Sequence, residues 1–246
     1  MPALPTAILF DLDDTILSAY RRPEAAWLAV ADELAELIAP LTPEAVAAAV
    51  SRQAVAFWAD AERHRIWRQK LGDARRQIVS CALSGLAAET RTAVSSGAAV
   101  RLADRFTAYR DEQMHVFPGA YDTLDALRSA GVRLALITNG DGPGQRAKVE
   151  RFDLARRFDH VQIEGEAGFG KPEPEAYRHA LAALDVEPAE TWMVGDNLEW
   201  EVAAPQRLGI YAIWHDHAAS GLPPGSAVRP DRIITALPQL LEDHRA

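Results

Sequence analysis

The hydrophobic pattern changes character twice along the chain. Residues 6–11 form a short apolar run that ends in aspartate, which is typical of a buried strand. From Pro23 to Asp111 the apolar positions recur at helical spacing, beginning where Pro23 precedes Glu24, a usual helix start. The first part of the chain is therefore predicted to be one strand followed by a long, entirely helical segment.

After residue 117, predicted helices alternate with short apolar strands. Strands joined by helices of this length form a parallel sheet that is covered on both faces. We therefore predict an α/β fold, with a doubly wound, Rossmann-like parallel-sheet core and an inserted all-helical domain. The predicted core comprises residues 1–17 and 115–246, and the predicted insertion comprises residues 18–114. The predicted strands after the first are 132–138, 160–165, 191–196, 210–214 and 232–235.

The composition is that of a folded globular protein, with 48% hydrophobic and 25% charged residues among 246. A net charge of −9 argues against broad nucleic-acid binding, which needs a basic surface. No apolar run reaches the roughly 18 residues of a membrane span, and the first residues lack a signal-peptide pattern. The single cysteine, Cys81, lies in an apolar helical stretch and is expected to be packed rather than nucleophilic. We therefore expect a cytoplasmic protein with no nucleic-acid or membrane partner.

Polar residues follow four of the predicted strands, at the edge where open parallel sheets place their active sites. Asp11 and Asp13 are two residues apart and would share one face of an extended chain. Asp11 is suited to attack an electrophilic phosphorus, and Asp13 to protonate a leaving oxygen and later deprotonate water. Asp196 adds a third carboxylate, and converging carboxylates repel one another unless a hard cation such as Mg²⁺ lies between them.

The other strand ends provide hydrogen-bond donors and a positive charge. Thr138, Asn139 and Gly140 offer a hydroxyl, an amide and backbone N–H groups, which together suit a phosphoryl group. Lys171 offers a compact positive charge, and Pro172 stiffens the turn that presents it.

These motifs, in this order, resemble those of haloacid dehalogenase superfamily hydrolases that carry a helical (C1-type) cap after the first motif. The D-x-D-x-T motif lies at residues 11–15, the threonine of "LITNG" is Thr138, the lysine of "GKP" is Lys171, and "VGDNLEWE" ends at Glu201. The resemblance implies that Asp11 is the nucleophile of an aspartyl-phosphate mechanism and that Asp13 is the general acid/base.

The resemblance also implies a ligand set. Mg²⁺ would be bound by the Asp11 side chain, the Asp13 backbone carbonyl and Asp196. Thr138 and Lys171 would hold the phosphoryl oxygens, with Lys171 also restraining Asp11.

One position departs from the family pattern, because Glu201 stands where aspartate is usual. Glu201 and the nearby Asn197 are expected just outside the reacting groups, and Glu201 either binds the metal through water or orients Lys171. The stretch "TNGDGPGQRAKVERFDL" is similar to the N-acylneuraminate-9-phosphatase and pyrimidine 5′-nucleotidase branch, which carries Gln and Lys after TNG at similar spacing. That similarity implies a small phosphorylated metabolite as substrate.

Several residues have a structural interpretation beside the functional one. Asp14 is expected to be a helix N-cap or a solvated turn residue rather than a chemical group. The basic stretch 62–76 either grips the anionic tail of a substrate or forms a solvated helix face, and the second interpretation is favoured. His215 and His217 are expected in a loop rather than in a metal pair.

The leading hypothesis is a Mg²⁺-dependent phosphatase that hydrolyses a small-molecule phosphomonoester and exists as a monomer or homodimer. A 2-haloacid dehalogenase would use the same nucleophile on carbon but would need neither Asp13 nor magnesium. A sugar-phosphate mutase would retain all these residues. A non-catalytic ligand-binding relative would have no reason to keep Asp11, Asp13, Thr138, Lys171 and Asp196 together.

Overall fold

Eight strands are present in the computed structural model, which describes residues 4–19 and 23–244. They are β1 Ala7–Phe10, β2 Leu17–Ser18, β3 His115–Val116, β4 Arg133–Thr138, β5 His160–Ile163, β6 Thr191–Gly195, β7 Tyr211–His215 and β8 Arg232–Ile234. Six of these form one sheet in the order β5-β4-β1-β6-β7-β8, and every neighbouring pair is parallel. The chain runs outward from β1 on one side and then returns to β6 on the other. The strand order therefore reverses beside β1, where open parallel sheets form their ligand crevice.

The described chain divides into two compact units. One contains all eight strands, and the other is the helical segment Ala19–Met114. The helical unit contains α1 Pro23–Glu33, α2 Ala35–Ile38, α3 Pro43–Trp58, α4 Ala61–Trp67, α5 Leu71–Thr90 and α6 Ala98–Gln113. The sheet unit contains α7 Ala120–Ser129, α8 Gly142–Arg151, α9 Glu164–Ala167, α10 Pro174–Leu184 and α11 Ala204–Gln206, with 3₁₀ turns at Ala155–Arg157, Pro188–Glu190 and Leu237–His244.

The central strand β1 is buried on both faces. All four of its residues are fully buried, and successive side chains of a strand point to opposite faces of the sheet. Leu9 belongs to a core cluster that includes Tyr177 of α10, whereas Phe10 contacts Phe158 edge-on at a centroid separation of 6.2 Å. A strand without polar residues forms such a doubly covered position readily. The predicted fold class, a doubly wound parallel sheet with an all-helical insertion, is confirmed.

The helical unit has its own core, in which Trp27 of α1 stacks on Phe106 of α6 with ring centroids 3.6 Å apart. The expectation that Cys81 is packed is wrong, because this cysteine is exposed. The buried residues of helix α5 lie on a different side of the helix from Cys81. They are Ala74, Ile78, Val79, Ala82, Leu83 and Leu86. In the basic stretch, Arg65 and Arg76 form exposed ion pairs with nearby carboxylates, as a solvated face would, whereas Arg68 is buried.

Local structure differs from the sequence-based predictions in three places. Strands β2 and β3 form a two-stranded antiparallel ribbon that is too short to recognise by periodicity. The strand expected at 160–165 ends at Ile163, after which α9 begins. Between β6 and β7, where the sequence predicts a helix over 199–209, the segment Leu198–Ala203 forms π-helical turns that are capped by the Asn197 side chain. None of the helices in the described ranges is long and apolar enough to cross a membrane.

The buried strand provides a stability test. Leu9→Ala should lower the free energy of unfolding of the sheet unit by about 2–5 kcal/mol, because it leaves a cavity in the core. Val55→Ala, at a side chain of the helical unit that is 74% exposed, should change the free energy of unfolding by less than about 0.5 kcal/mol. Urea unfolding monitored by circular dichroism measures both changes, and equal effects for the two variants would contradict the packing described.

Candidate active site

Asp11 stands directly after β1, at the centre of the sheet edge. Its backbone N–H donates to the carbonyl of Val194 at 3.0 Å and so extends the pairing with β6 by one residue. Its carboxylate lies 2.5 Å from Nζ of Lys171 through Oδ1 and accepts a hydrogen bond from the hydroxyl of Thr15 at 3.0 Å through Oδ2. Both carboxylate oxygens therefore have fixed partners, which orients the side chain predicted to be the nucleophile.

Lys171 has a fully buried side chain with two carboxylate partners. Besides Asp11, its Nζ lies 2.8 Å from Oε1 of Glu201. Burial alone would lower the pKa of Lys171, but the charges of Asp11 and Glu201 outweigh burial and raise it. The amine therefore remains positively charged at the edge of the sheet, where the family resemblance implies that a phosphoryl group binds.

Asn139, which follows β4, holds the main chain of Lys171. Its Nδ2 donates to the Lys171 carbonyl at 2.6 Å, and its Oδ1 accepts from the Lys171 N–H at 2.9 Å. Gly140 has a φ of 126° that favours glycine, and its N–H donates to Oε2 of Glu164 at 3.0 Å. Two groups expected to bind phosphate, the Asn139 amide and the Gly140 N–H, thus have protein partners in this structure. The buried hydroxyl of Thr138 faces Nε2 of Gln145.

Glu201 is buried and anchored at both oxygens. Its Oε1 pairs with Lys171, and its Oε2 accepts from the backbone N–H of Asn197 at 2.8 Å. A Cβ at position 195 would overlap the Glu201 side chain, so the close approach requires Gly195. Burial raises the pKa of Glu201 to about 7, even though the Lys171 charge acts in the opposite direction. The sequence left two roles open for Glu201, which were metal binding through water and orientation of Lys171. In this structure Glu201 contacts Lys171.

Asp13 lies two residues beyond Asp11 and contacts helix α8. Nζ of Lys148 lies 2.8 Å from its Oδ1 and 2.7 Å from its Oδ2, and Nε2 of Gln145 donates to Oδ2 at 3.1 Å. The sequence analysis assigned neither residue to the site. The signal was the spacing of Gln and Lys after TNG, because residues three apart on a helix share a face.

Asp196, which follows β6, lies in a cluster of acidic groups. Burial and the charges of Asp11, Glu201 and Asp14 raise the pKa of Asp196 well above its usual value. The ligand atoms of Asp14, Asp196 and His217 lie within 4.8 Å of one another. Such crowding fits a hard divalent cation. Carboxylate oxygens are suitable ligands for it, and its charge would offset the repulsion between the carboxylates.

Two of these groups differ from their expected positions. Asp14 is buried and has a left-handed φ of 58°, so it is neither a helix N-cap nor a solvated turn residue. Its side chain reaches Asp196 from this turn, which the pattern of apolar residues does not indicate. His215 is the buried last residue of β7 rather than part of a loop, and only His217 follows the strand.

Residues 5–209 match the family described as haloacid dehalogenase-like hydrolase. The chain belongs to this family. The predicted superfamily is therefore confirmed.

Relatives in this haloacid dehalogenase-like family include several phosphatases. The chain is 36% identical to phosphoserine phosphatase of Thermus thermophilus over 165 residues, which is 67% of this chain and 58% of that protein. It is 36% identical to glyceraldehyde 3-phosphate phosphatase of Pyrococcus furiosus over 126 residues, 51% of this chain and 52% of the relative. It is 34% identical to rat N-acylneuraminate-9-phosphatase over 114 residues, 45% of this chain and 46% of the relative. The matches thus span about half the length of these relatives.

Solved structures of the family share the fold. The HAD-hydrolase YfnB of Bacillus subtilis, bound to magnesium, superposes with a TM-score of 0.74 at 20% identity and covers 99% of this chain and 100% of its own. The 2-haloacid dehalogenase of Pseudomonas syringae has a TM-score of 0.60 at 26% identity, with coverage of 98% and 100%. The shared fold therefore includes both a magnesium-bound hydrolase and a dehalogenase.

His215 makes the stability of this protein depend on pH. Burial and the neighbouring His217 lower the pKa of His215 to about 4. Between pH 6.5 and 4 the unfolded chain binds this proton but the folded chain does not, so acidification should lower the free energy of unfolding by up to about 3 kcal/mol through this residue. His215→Gln should lack that part of the loss when urea unfolding is compared at pH 7 and pH 4.5. An identical loss in both proteins would show that His215 does not titrate as described.

Proposed function

We propose that this chain is a Mg²⁺-dependent phosphatase that hydrolyses a small phosphorylated metabolite through an aspartyl-phosphate on Asp11. The observation that carries the proposal is the Asp11 carboxylate, held by Lys171 and Thr15 at the carboxyl end of the central strand. Asp13 lies two residues further along the chain and provides a second carboxylate for proton transfer. The phosphatases among the relatives support the same chemistry.

In the first step, a carboxylate oxygen of Asp11 attacks the phosphorus of the substrate. The bond from phosphorus to the leaving oxygen breaks, and its electron pair goes to that oxygen, which takes a proton from the carboxylic acid of Asp13. The ammonium of Lys171 and the hydroxyl of Thr138 stabilise the charge on the phosphoryl oxygens. The alcohol then leaves, and the phosphoryl group remains on Asp11.

In the second step, the Asp13 carboxylate removes a proton from water, and the water oxygen attacks the phosphorus. The bond from phosphorus to the Asp11 oxygen breaks, and its electron pair restores the Asp11 carboxylate. Inorganic phosphate leaves, and Asp13 is again protonated. One ester and one water have become one alcohol and one phosphate.

The acidic cluster fits the metal that this chemistry needs. Mg²⁺ would be held by the Asp11 side chain, the main-chain carbonyl of Asp13 and Asp196. Burial, followed by the charges of Asp11, Glu201 and Asp14, raises the pKa of Asp196, and a bound cation would offset the repulsion among these carboxylates. When bound, the metal would supply positive charge that draws an anionic phosphoryl group toward the carboxylates. Asp14 and His217 lie beside Asp196 and belong to the same cluster.

The names of the phosphatase relatives suggest the size of the substrate. The relatives are named for phosphoserine, glyceraldehyde 3-phosphate and N-acylneuraminate 9-phosphate, all of them small polar metabolites. We therefore propose a compound of this size, and a cap function for the helical unit Ala19–Met114, as the family resemblance implies.

The alternative function is that of a 2-haloacid dehalogenase, because a solved structure at 26% identity has that name. That reaction needs neither a general acid two residues after the nucleophile nor a metal. Asp13, with its two donors on α8, and the cluster around Asp196 therefore favour phosphoryl transfer.

Purified protein should hydrolyse p-nitrophenyl phosphate with Mg²⁺, lose this activity in EDTA and regain it when Mg²⁺ is restored. Asp11→Asn should reduce turnover by at least about 10³-fold, because the amide is no nucleophile. Arg146→Gln, at an exposed ion pair on α8, is a matched control that should leave turnover unchanged. Release of chloride from 2-chloropropionate in EDTA, without phosphatase activity, would reverse the assignment.

A further inference from the structure

The side chain of Asp13 is held by two residues of helix α8 that no motif of the reaction includes. Lys148 contacts both carboxylate oxygens, at 2.8 and 2.7 Å, and Gln145 donates to one of them at 3.1 Å. We infer that Lys148 and Gln145 are positioning residues for the general acid/base Asp13, and that they stabilise the negative charge Asp13 carries after it has given its proton to the leaving group. This inference rests on the proposed phosphatase function.

The contact between Lys148 and Asp13 differs from an ordinary surface ion pair. The two side chains are only 16% and 18% exposed, and 135 residues separate them in the chain. Arg146, on the same helix, pairs with Glu166 of α9, and these two side chains are 36% and 41% exposed. Charge-assisted hydrogen bonds gain strength where water is excluded, whereas exposed pairs contribute little. The Lys148 pair therefore restricts the position of Asp13 more strongly than the Arg146 pair restricts its own residues.

Gln145 links Asp13 to the loop after β4. Its Nε2 also lies within hydrogen-bond distance of the Thr138 hydroxyl and 2.9 Å from the Asn139 carbonyl. One amide group has two hydrogens, so it serves at most two of these three acceptors at a time. The same buried side chain thus contacts the proton-transfer residue and the residue proposed to bind phosphoryl oxygens.

The beginning of α8 fixes both donors relative to the sheet. Asp141 caps the helix by accepting from the N–H of Gly144 at 2.8 Å, and Pro143 lies in the first turn. Because only three residues separate the end of β4 from the start of the helix, its first two turns stand at the sheet edge where Asp13 lies. Lys148 and Gln145 are on the face of these turns that meets Asp13.

The charge on Asp13 changes during the reaction in the way these donors favour. When the leaving oxygen takes the proton from Asp13, the O–H bond electrons stay on Asp13 as a carboxylate. Lys148 and Gln145 offer only hydrogen-bond donors to that carboxylate, and they need not reorient after the transfer. Their contribution should therefore depend on how much the leaving group needs a proton.

The dependence on the leaving group separates positioning from a general structural role. Phenyl phosphate releases a basic phenolate that benefits from protonation, whereas the nitro group lets p-nitrophenolate leave without it. For Lys148→Met, kcat/KM for phenyl phosphate should fall by at least about tenfold, and kcat/KM for p-nitrophenyl phosphate by less than about twofold. Gln145→Leu should show the same selectivity with a smaller loss, and Lys148→Arg should restore most of the activity on phenyl phosphate.

Arg146→Gln is the control on the same helix, and both of its kcat/KM values should match those of the unaltered protein. Equal losses on both esters in Lys148→Met and Gln145→Leu, or no loss on either, would overturn the positioning role and leave the phosphatase assignment intact. Failure of the unaltered protein to hydrolyse either ester with Mg²⁺ would instead overturn the proposed function, and the inference with it.

Discussion

Lys171 carries a fully buried ammonium group between two carboxylates, Asp11 at 2.5 Å and Glu201 at 2.8 Å. A buried charge without partners is costly, and removing one partner of a buried pair typically destabilises a protein by about 3–5 kcal/mol. The three side chains therefore hold one another in place, and Asp11, the proposed nucleophile, is oriented by the same contacts that offset the cost of burying the lysine charge. When both carboxylates are ionised, the three side chains carry a net negative charge, which suits a site that takes up a divalent cation together with an anionic substrate.

The surrounding chain is built to maintain this buried contact. Asn139 uses both ends of its amide on the main chain of Lys171, so the loop after β4 and the loop between α9 and α10 are joined at the lysine. Gly195 leaves room for Glu201, whose other oxygen is held by the N–H of Asn197. The stability of the parallel sheet, with β1 buried on both faces, keeps these loops at one edge. Chemistry and fold are coupled here because Asp11 and Asp196 directly follow β1 and β6, two strands whose residues are all buried.

The sequence was sufficient for the fold class and for the strand ends at which Asp11, Thr138 and Asp196 lie, since apolar runs followed by polar residues mark the carboxyl ends of strands. It was not sufficient for side-chain partners that depend on distant parts of the chain. The pairing of Lys148 with Asp13 joins residues far apart in sequence, and the spacing of Gln145 and Lys148 indicated only a shared helix face. The left-handed backbone that buries Asp14 and the exposed position of Cys81 depend on turn geometry and helix rotation, which hydrophobic periodicity does not define to the single residue.

The central claim is that Asp11 becomes phosphorylated during turnover. Protein mixed with excess p-nitrophenyl phosphate and Mg²⁺ and quenched in acid within milliseconds should yield a peptide containing residues 4–19 that carries one phosphoryl group, located on Asp11 by fragmentation in the mass spectrometer. The same peptide from Asp11→Asn should be unmodified. Active protein whose quenched peptides carry no phosphoryl group, or carry it on a residue other than Asp11, would contradict the mechanism.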